Sequence, residues 1–315
     1  MFAPSNSSIL NKHYSMHCTF YSPSNSSFQI ALAFYTEHIL PRPPLNIILT
    51  HSLRVIFYFP SRYLLDSFPI LLYNLLTNDK ELPMNFIFDL YGTLIDIWTD
   101  ESGEDFWRGI CALLNTDGDE WQTLKSEYSD LCAAKKREKY HEIDLIEVFS
   151  EMIASHKADI SPNELATSFR RLSMRRLGLF PAVKKTLEEL RTLGAGVYLV
   201  SNAQSCFTRE ELKATGLHDL FDGIILSSEE GVKKPSERIF NIAAKRFGIN
   251  FVDSYYVGND LYDDVEGASR VGLKTVYVET EQSGKYDGLE ITDPDYVVSD
   301  HYELRKTLIH LASKK

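Results

Sequence analysis

From residue 84 onward the chain repeats one pattern, and that pattern narrows the fold more than any other feature. Short, almost purely apolar runs alternate with amphipathic stretches that end at Gly or Pro. The runs are residues 86–90, Val197–Val200, Ile224–Leu226, Tyr255–Val257, Thr275–Val278 and Tyr296–Val298. Such runs lack the in–out alternation of a half-solvated strand, so they read as strands covered on both faces. Between them lie helical patterns. Val183, Leu187 and Leu190 share a face before Gly194, and Ile239, Ala243 and Phe247 share one between Pro235 and Gly248. Residues 261–271 and 302–313 continue the series. Strands separated by helices imply βαβ units, which predicts an α/β fold: a doubly wound parallel sheet.

One segment departs from the alternation. Residues 101–178 read as nearly all helix, with four apolar faces. They are Phe106, Ile110, Leu113 and Leu114; then Trp121, Leu124, Tyr128, Leu131 and Cys132; then Leu145, Val148, Phe149 and Met152; then Leu165, Phe169 and Leu172. Asp117-Gly118 and Ser161-Pro162 supply breaks and caps. We read residues 99–178 as an inserted helical domain and residues 84–98 with 179–315 as the sheet-bearing core.

Residues 1–83 are of another composition. They contain none of the 16 glycines, eight of the 12 prolines, five of the 33 basic residues and four of the 44 acidic ones. The remainder therefore carries 28 basic against 40 acidic residues. No apolar stretch in 1–83 approaches the roughly 20 residues of a membrane span. Lys12 is the only early base before the short apolar stretch at 30–35, a weak basis for a secretory signal. The favoured expectation is a low-information extension, disordered or belonging to a start upstream of the real one at Met84. A membrane-associated segment and a targeting peptide are the alternatives.

The whole chain of 315 residues has a net charge of −11, which disfavours nucleic acid and anionic membrane surfaces as partners. Its four cysteines (Cys18, Cys111, Cys132 and Cys206) form no C-x-x-C pair. They read as reduced thiols of a cytoplasmic protein rather than a disulfide or zinc framework. Nothing in the sequence specifies the oligomeric state.

Ligands of a doubly wound sheet bind at the carboxyl ends of its strands. Those ends carry Asp89, Tyr91, Gly92 and Thr93; then Ser201 and Asn202; then Lys234 with Pro235; then Gly258, Asn259, Asp260, Asp263 and Asp264. One carboxylate, a hydroxyl–amide pair, a lysine and an acidic cluster thus converge on one crevice. This set suits group transfer onto an aspartate. The carboxylate attacks, cationic and polar donors neutralise the transferring group, and Mg²⁺ on one or two carboxylates adds to that neutralisation.

In these residues the chain resembles the haloacid dehalogenase-like hydrolases with a helical cap. The motifs stand as Phe88-Asp89-Leu90-Tyr91-Gly92-Thr93-Leu94, Val200-Ser201-Asn202, Lys234-Pro235, and Val257-Gly258-Asn259-Asp260 followed by Asp264-Val265-Glu266-Gly267-Ala268. The resemblance covers nearly all of 84–315 and none of 1–83. It implies a Rossmann-like core and Asp89 as nucleophile, oriented by Thr93. Ser201, Asn202 and Lys234 would hold the transferring group. Mg²⁺ would lie among Asp89, the Tyr91 carbonyl, Asn259, Asp260 and Asp264, and a small phosphorylated metabolite would be the substrate.

Two positions depart from the family's phosphatases. Tyr91 stands where they carry a second aspartate as general acid, and Asn259 replaces a family acid. A phenol near pKa 10 is a poor acid at neutral pH. Tyrosine at 91 is shared with metal-independent 2-haloacid dehalogenases, whose halide leaves without a proton, so its side chain is expected to face substrate. Asp260, Asp263 and Asp264 point back to the phosphatases, as does Phe240 where dehalogenases carry tyrosine. The leading expectation is a Mg²⁺-dependent phosphatase working through aspartyl phosphate. A dehalogenase and a non-hydrolytic binding protein are the alternatives. The runs Lys135-Lys136-Arg137, Arg170-Arg171 and Arg175-Arg176 read as solvated helix faces, and Cys206 and His218 as structural.

Overall fold

The computed structural model of this chain describes residues 84–286 and 288–314, together with four short strands before them. Those strands are Cys18–Tyr21 (β1), Gln29–Leu32 (β2), Leu45–Ile48 (β3) and Arg54–Phe57 (β4). β1 pairs antiparallel with β2, and β3 with β4. The remainder of 1–83, and with it the expectation for that segment, lies outside the described residues. The chain divides into two compact units, Met1–Lys80 and Glu81–Lys315, close to the composition break.

The second unit is a six-stranded sheet with an inserted helical layer. Its sheet strands are Asn85–Phe88 (β5), Gly196–Ser201 (β8), Gly223–Leu226 (β9), Ser254–Gly258 (β10), Lys274–Val278 (β11) and Tyr296–Val298 (β12). Their order is β12-β11-β10-β5-β8-β9, and every pairing is parallel. The chain leaves β5 toward β8 and β9, then returns to the other side of β5 for β10, β11 and β12. The topological switch therefore lies at β5, where loops from three adjacent strands open together.

Both faces of the sheet are covered, as the uninterrupted apolar runs require. Phe86 and Phe88 point into a cluster with Leu187, Val197, Leu199, Val257 and Leu308, whereas Ile87 points into another with Val200, Ile239, Phe240 and Tyr256. The flanking helices include α5 (Val183–Thr192), α6 (Ser205–Ala214), α8 (Glu237–Phe247) and α10 (His301–Ala312), with the single turns α7 (Ser227–Glu230) and α9 (Gly267–Arg270) between them. α8 begins at the Ser236 cap and closes at Gly248 in the left-handed conformation, which glycine adopts without steric cost.

The insert comprises α1 (Glu104–Leu113), α2 (Trp121–Lys135), α3 (Leu145–His156) and α4 (Pro162–Ser173). Their apolar faces close on one aromatic cluster of Phe106, Trp107, Phe149 and Phe169. α4 starts with a complete capping box between Ser161 and Glu164, a reciprocal satisfaction of end N–H groups. The expectation of helix to residue 178 fails at its end. Met174–Leu179 is a strand (β7) paired antiparallel with Ile95–Thr99 (β6), so two antiparallel strands carry the chain out of the core and back. Ile97, Leu177 and Leu179 pack against the sheet cluster while Arg175 and Arg176 stay exposed. A ribbon this short does not stand out beside a four-helix pattern.

Candidate active site

Asp89 follows β5 directly, and its backbone N–H donates to the Val257 carbonyl at 2.9 Å. This bond carries the β5–β10 ladder one residue beyond the strand and fixes where the carboxylate begins. The chain then turns sharply. Gly92 sits at φ +81°, and a Cβ there would collide with the Asn259 amide. Backbone conformation and close approach both require glycine at this point.

The Asp89 carboxylate has two unlike oxygens. Oδ1 accepts from Lys234 Nζ at 2.6 Å and from Ser201 Oγ at 3.0 Å. Among the described residues Oδ2 accepts only from Thr93 Oγ1, at 3.2 Å. Lys234 is 2% exposed on its side chain and also donates to Asp264 Oδ1 at 2.6 Å and to Tyr256 OH at 2.9 Å. One buried ammonium thus stands between two carboxylates. Burial opposes its charge, but Asp264 and Asp89 outweigh that cost and hold its pKa well above the ordinary value. Burial pushes the Asp264 carboxyl up to about 7, the nearby Asp89 charge adding to the effect.

Asn202 acts on the backbone of the same loop. Its Oδ1 accepts from Lys234 N–H at 2.7 Å, while its Nδ2 donates to the Lys234 carbonyl at 3.2 Å and to Asp263 Oδ2 at 3.0 Å. It clamps the main chain of Lys234, whose bond to Pro235 is cis. Burial raises the Asp263 carboxyl to about 6.

The acidic loop after β10 divides its work. Asp264 Oδ2 accepts from Asp260 N–H at 3.0 Å. Gly258 makes room for it, since a Cβ there would overlap the Asp264 side chain. The Asp260 side chain turns back on its own chain. Oδ1 caps the wide helical turn Leu261–Glu266 by accepting from Tyr262 N–H at 2.9 Å and Asp263 N–H at 2.7 Å. Oδ2 accepts from Tyr286 OH at 2.5 Å. Asn259 instead points toward Asp89, its Oδ1 accepting from Thr93 Oγ1 at 3.0 Å. Its amide orientation is set on the other side. Nδ2 faces Thr280 Oγ1 at 3.4 Å, and that hydroxyl donates to the Gly92 carbonyl at 3.1 Å.

This geometry bears on Mg²⁺. The single Thr93 hydroxyl hydrogen faces two acceptor oxygens, Asp89 Oδ2 and Asn259 Oδ1. One of them is left without a donor, a surplus of lone pairs that a hard cation would satisfy. The Tyr91 carbonyl takes no part in the hydrogen bonds of this turn. The donor set of one carboxylate, one amide oxygen and one carbonyl fits a Mg²⁺ ion that keeps several waters. Among the described residues, no group of three or more His, Cys, Asp or Glu side chains is placed to hold a metal ion. The Asp260 and Asp264 oxygens accept instead from backbone N–H groups, Tyr286 and Lys234.

The Tyr91 side chain is engaged elsewhere. Its hydroxyl donates to Glu211 Oε2 and lies 2.8 Å from Thr208 Oγ1, both on α6. Glu211 Oε1 in turn accepts from Arg170 Nε of the cap helix α4 at 2.6 Å. The Arg170 guanidinium lies over the rings of Tyr91 and Phe207, 5.7 and 4.8 Å from their centroids. Burial and the Glu211 charge raise the phenol above its ordinary pKa. Arg170, expected on a solvated helix face, is 17% exposed and pairs with a carboxylate that is 7% exposed.

Sequence reasoning passed over Tyr256, Glu211 and His301. His301 donates from Nε2 to the Thr93 carbonyl at 2.8 Å and stacks on Phe180 at 4.2 Å. Glu211 was detectable in principle, because it shares the buried face of α6 with Phe207, Thr208 and Leu212. An acid on an apolar face needs a partner.

A family model of haloacid dehalogenase-like hydrolases matches residues 120–278, about half of the chain. The chain belongs to this family. Over 137 residues it is 34% identical to a glyceraldehyde 3-phosphate phosphatase of Methanopyrus kandleri, covering 42% of this chain and 58% of that protein. Over 132 residues it is 33% identical to a phosphoserine phosphatase of Thermus thermophilus, covering 42% and 50%. The chain thus spans about half the length of the curated relatives it matches. A solved structure of a HAD phosphatase from Thermococcus onnurineus aligns with a TM-score of 0.49 at 24% identity, covering 71% of this chain and 97% of that one.

Proposed function

We propose that this haloacid dehalogenase-like hydrolase is a phosphatase acting on a small phosphorylated metabolite through an aspartyl phosphate on Asp89. The observation that carries the reading is the asymmetry of the Asp89 carboxylate. Oδ1 faces Lys234 and Ser201, two donors suited to the equatorial oxygens of a phosphoryl group. Oδ1 is therefore the attacking atom. It forms the bond to phosphorus as the bond to the leaving oxygen breaks. Water then attacks phosphorus, releases inorganic phosphate with a proton and restores the carboxylate.

Oδ2 lies on the side of Asn259 and Thr93. Asp89 Oδ2, Asn259 Oδ1 and the Tyr91 carbonyl would hold Mg²⁺, which when bound neutralises charge on the transferring group. Lys234 donates to Asp89 Oδ1 and cancels part of the developing charge. Asp264 and Tyr256 hold that ammonium in place, and Asn202 holds the backbone beneath it. The names of the curated relatives support phosphate esters as the substrate class.

Tyr91 does not supply the leaving-group proton in this reading. Its hydroxyl hydrogen is bonded to Glu211, and its environment makes it a weaker acid than free tyrosine. The reading is tested with a panel of alkyl, aryl and acyl phosphates and 2-haloacids, assayed with Mg²⁺ and with EDTA. Phosphate release that EDTA abolishes supports it. Halide release indifferent to EDTA would replace it with dehalogenase chemistry.

A further inference from the structure

Away from Asp89, a half-open cavity of about 500 Å³ lies where the loop between α2 and α3 meets the loop before α8. It is lined by Arg137, Glu138 and His141 on the cap side and by Glu230, Gly231 and Arg238 on the core side. Its size falls within the range of small-metabolite sites, roughly 300–1,000 Å³.

The charges around it are unevenly satisfied. Both oxygens of Glu230 are taken by Arg246, at 2.7 and 2.9 Å. Glu138 approaches Arg238 only at 3.8 Å, and both side chains are about two-thirds exposed, a geometry that contributes little. Arg137 makes no ion pair or side-chain hydrogen bond among the described residues. The acids of the cavity are thus engaged or peripheral, while two guanidinium groups are left to donate.

We propose that this cleft binds a small oxyanion carrying two negative charges, held by Arg137 and Arg238. Arginine presents a planar fork of donors matched to phosphate or carboxylate oxygens. The position gives such a ligand a route to the reaction centre. Lys233 N–H donates to the Tyr140 carbonyl at 3.0 Å, and Glu142 N–H to the Gly231 carbonyl at 3.4 Å. These backbone bonds already join the cap loop to the loop that carries Lys234. An anion bridging Arg137 and Arg238 ties the same two loops on their side-chain side.

The test is a titration of the isotopically labelled full chain at pH 7, followed by amide NMR. Inorganic phosphate and succinate are the two probes, and sodium chloride at matched ionic strength is the control. Saturable shifts of the Gly231 and His141 amides are expected with at least one probe. Gly92 and Gly258 separately report any binding beside Asp89. Arg137→Ala and Arg238→Ala should each weaken binding at the cleft about tenfold while leaving shifts near Asp89 unchanged. Tighter binding of phosphate assigns the site to phosphate esters, and tighter binding of succinate to polycarboxylates. Shifts that do not saturate, that chloride reproduces, or that both arginine variants retain at full affinity overturn the proposal.

Discussion

Tyr91 gives its hydroxyl hydrogen to Glu211, a residue 120 positions away on the helix that follows Ser201. The bond turns the side chain next to the reaction centre into part of a cap–core contact, with Arg170 closing the group from α4.

A phosphatase built this way should prefer substrates whose leaving group departs without a proton. Acyl and aryl phosphates fit, and alkyl phosphates do not. Proton donation is worth roughly 10²–10⁴-fold, so kcat/KM should depend steeply on leaving-group pKa. Tyr91→Asp should raise alkyl phosphate turnover more than aryl turnover. A flat leaving-group series in the parent, unchanged in the variant, would show that another residue delivers the proton.

Asp89→Asn keeps the shape of the side chain and the room for Ser201 and Lys234 but removes the nucleophile. Turnover should fall about a millionfold, with an unchanged circular dichroism spectrum. Residual phosphatase activity near the parent level would exclude the aspartyl intermediate.

Glu211→Ala leaves Arg170 without its carboxylate in a largely buried place. Removing one partner of such a pair costs about 3 kcal/mol, or roughly 6–12 °C in Tm for a unit of this size. Replacing both partners, as in Arg170→Met with Glu211→Leu, should recover most of that loss. Thermal melts of the single and double variants, compared at one pH, decide the matter.

His301 should confer acid sensitivity. Burial holds its pKa below the ordinary 6.5, so in mild acid the unfolded chain binds the proton first. Stability from this residue is present at neutral pH and is lost as pH falls through about 6.5 toward the lower folded value. Asp263 and Asp264, with raised pKa values, contribute the opposite slope above the ordinary carboxyl range. The diagnostic is therefore a difference between parent and His301→Gln. Tm of the parent should fall more between pH 7 and 5, and parallel curves would remove His301 from the account.

Residues 84–315 should fold without the first 83. The compact unit begins at Glu81, and Met84 packs on the sheet cluster just before β5. The truncated protein is expected to show one cooperative thermal transition and full catalytic activity. Aggregation or loss of the transition would mean that residues 1–83 complete its core.

What the sequence determined by itself is the sheet and what stands at its edge. A strand such as Phe86-Ile-Phe is legible because burial on both faces needs an unbroken apolar run. The residue at its end must lie at the carboxyl edge whatever else the chain does, so Asp89 and Ser201 were bound to approach one another, and the loop after β9 could bring Lys234 to the same edge. The four cap helices were legible for a similar reason, since their apolar residues recur at helical spacing. Side-chain direction was not legible, because it depends on partners far away in the chain. Asp260 reads as one more metal acid, yet the wide turn that follows presents two N–H groups and captures it as a cap. Tyr91 reads as facing substrate, and Arg170 as solvated, until α4 and α6 come together with Glu211 between them. Only the packed structure decides such contests, because the cost of leaving a buried charge or hydroxyl unpaired exceeds any local preference for where it points.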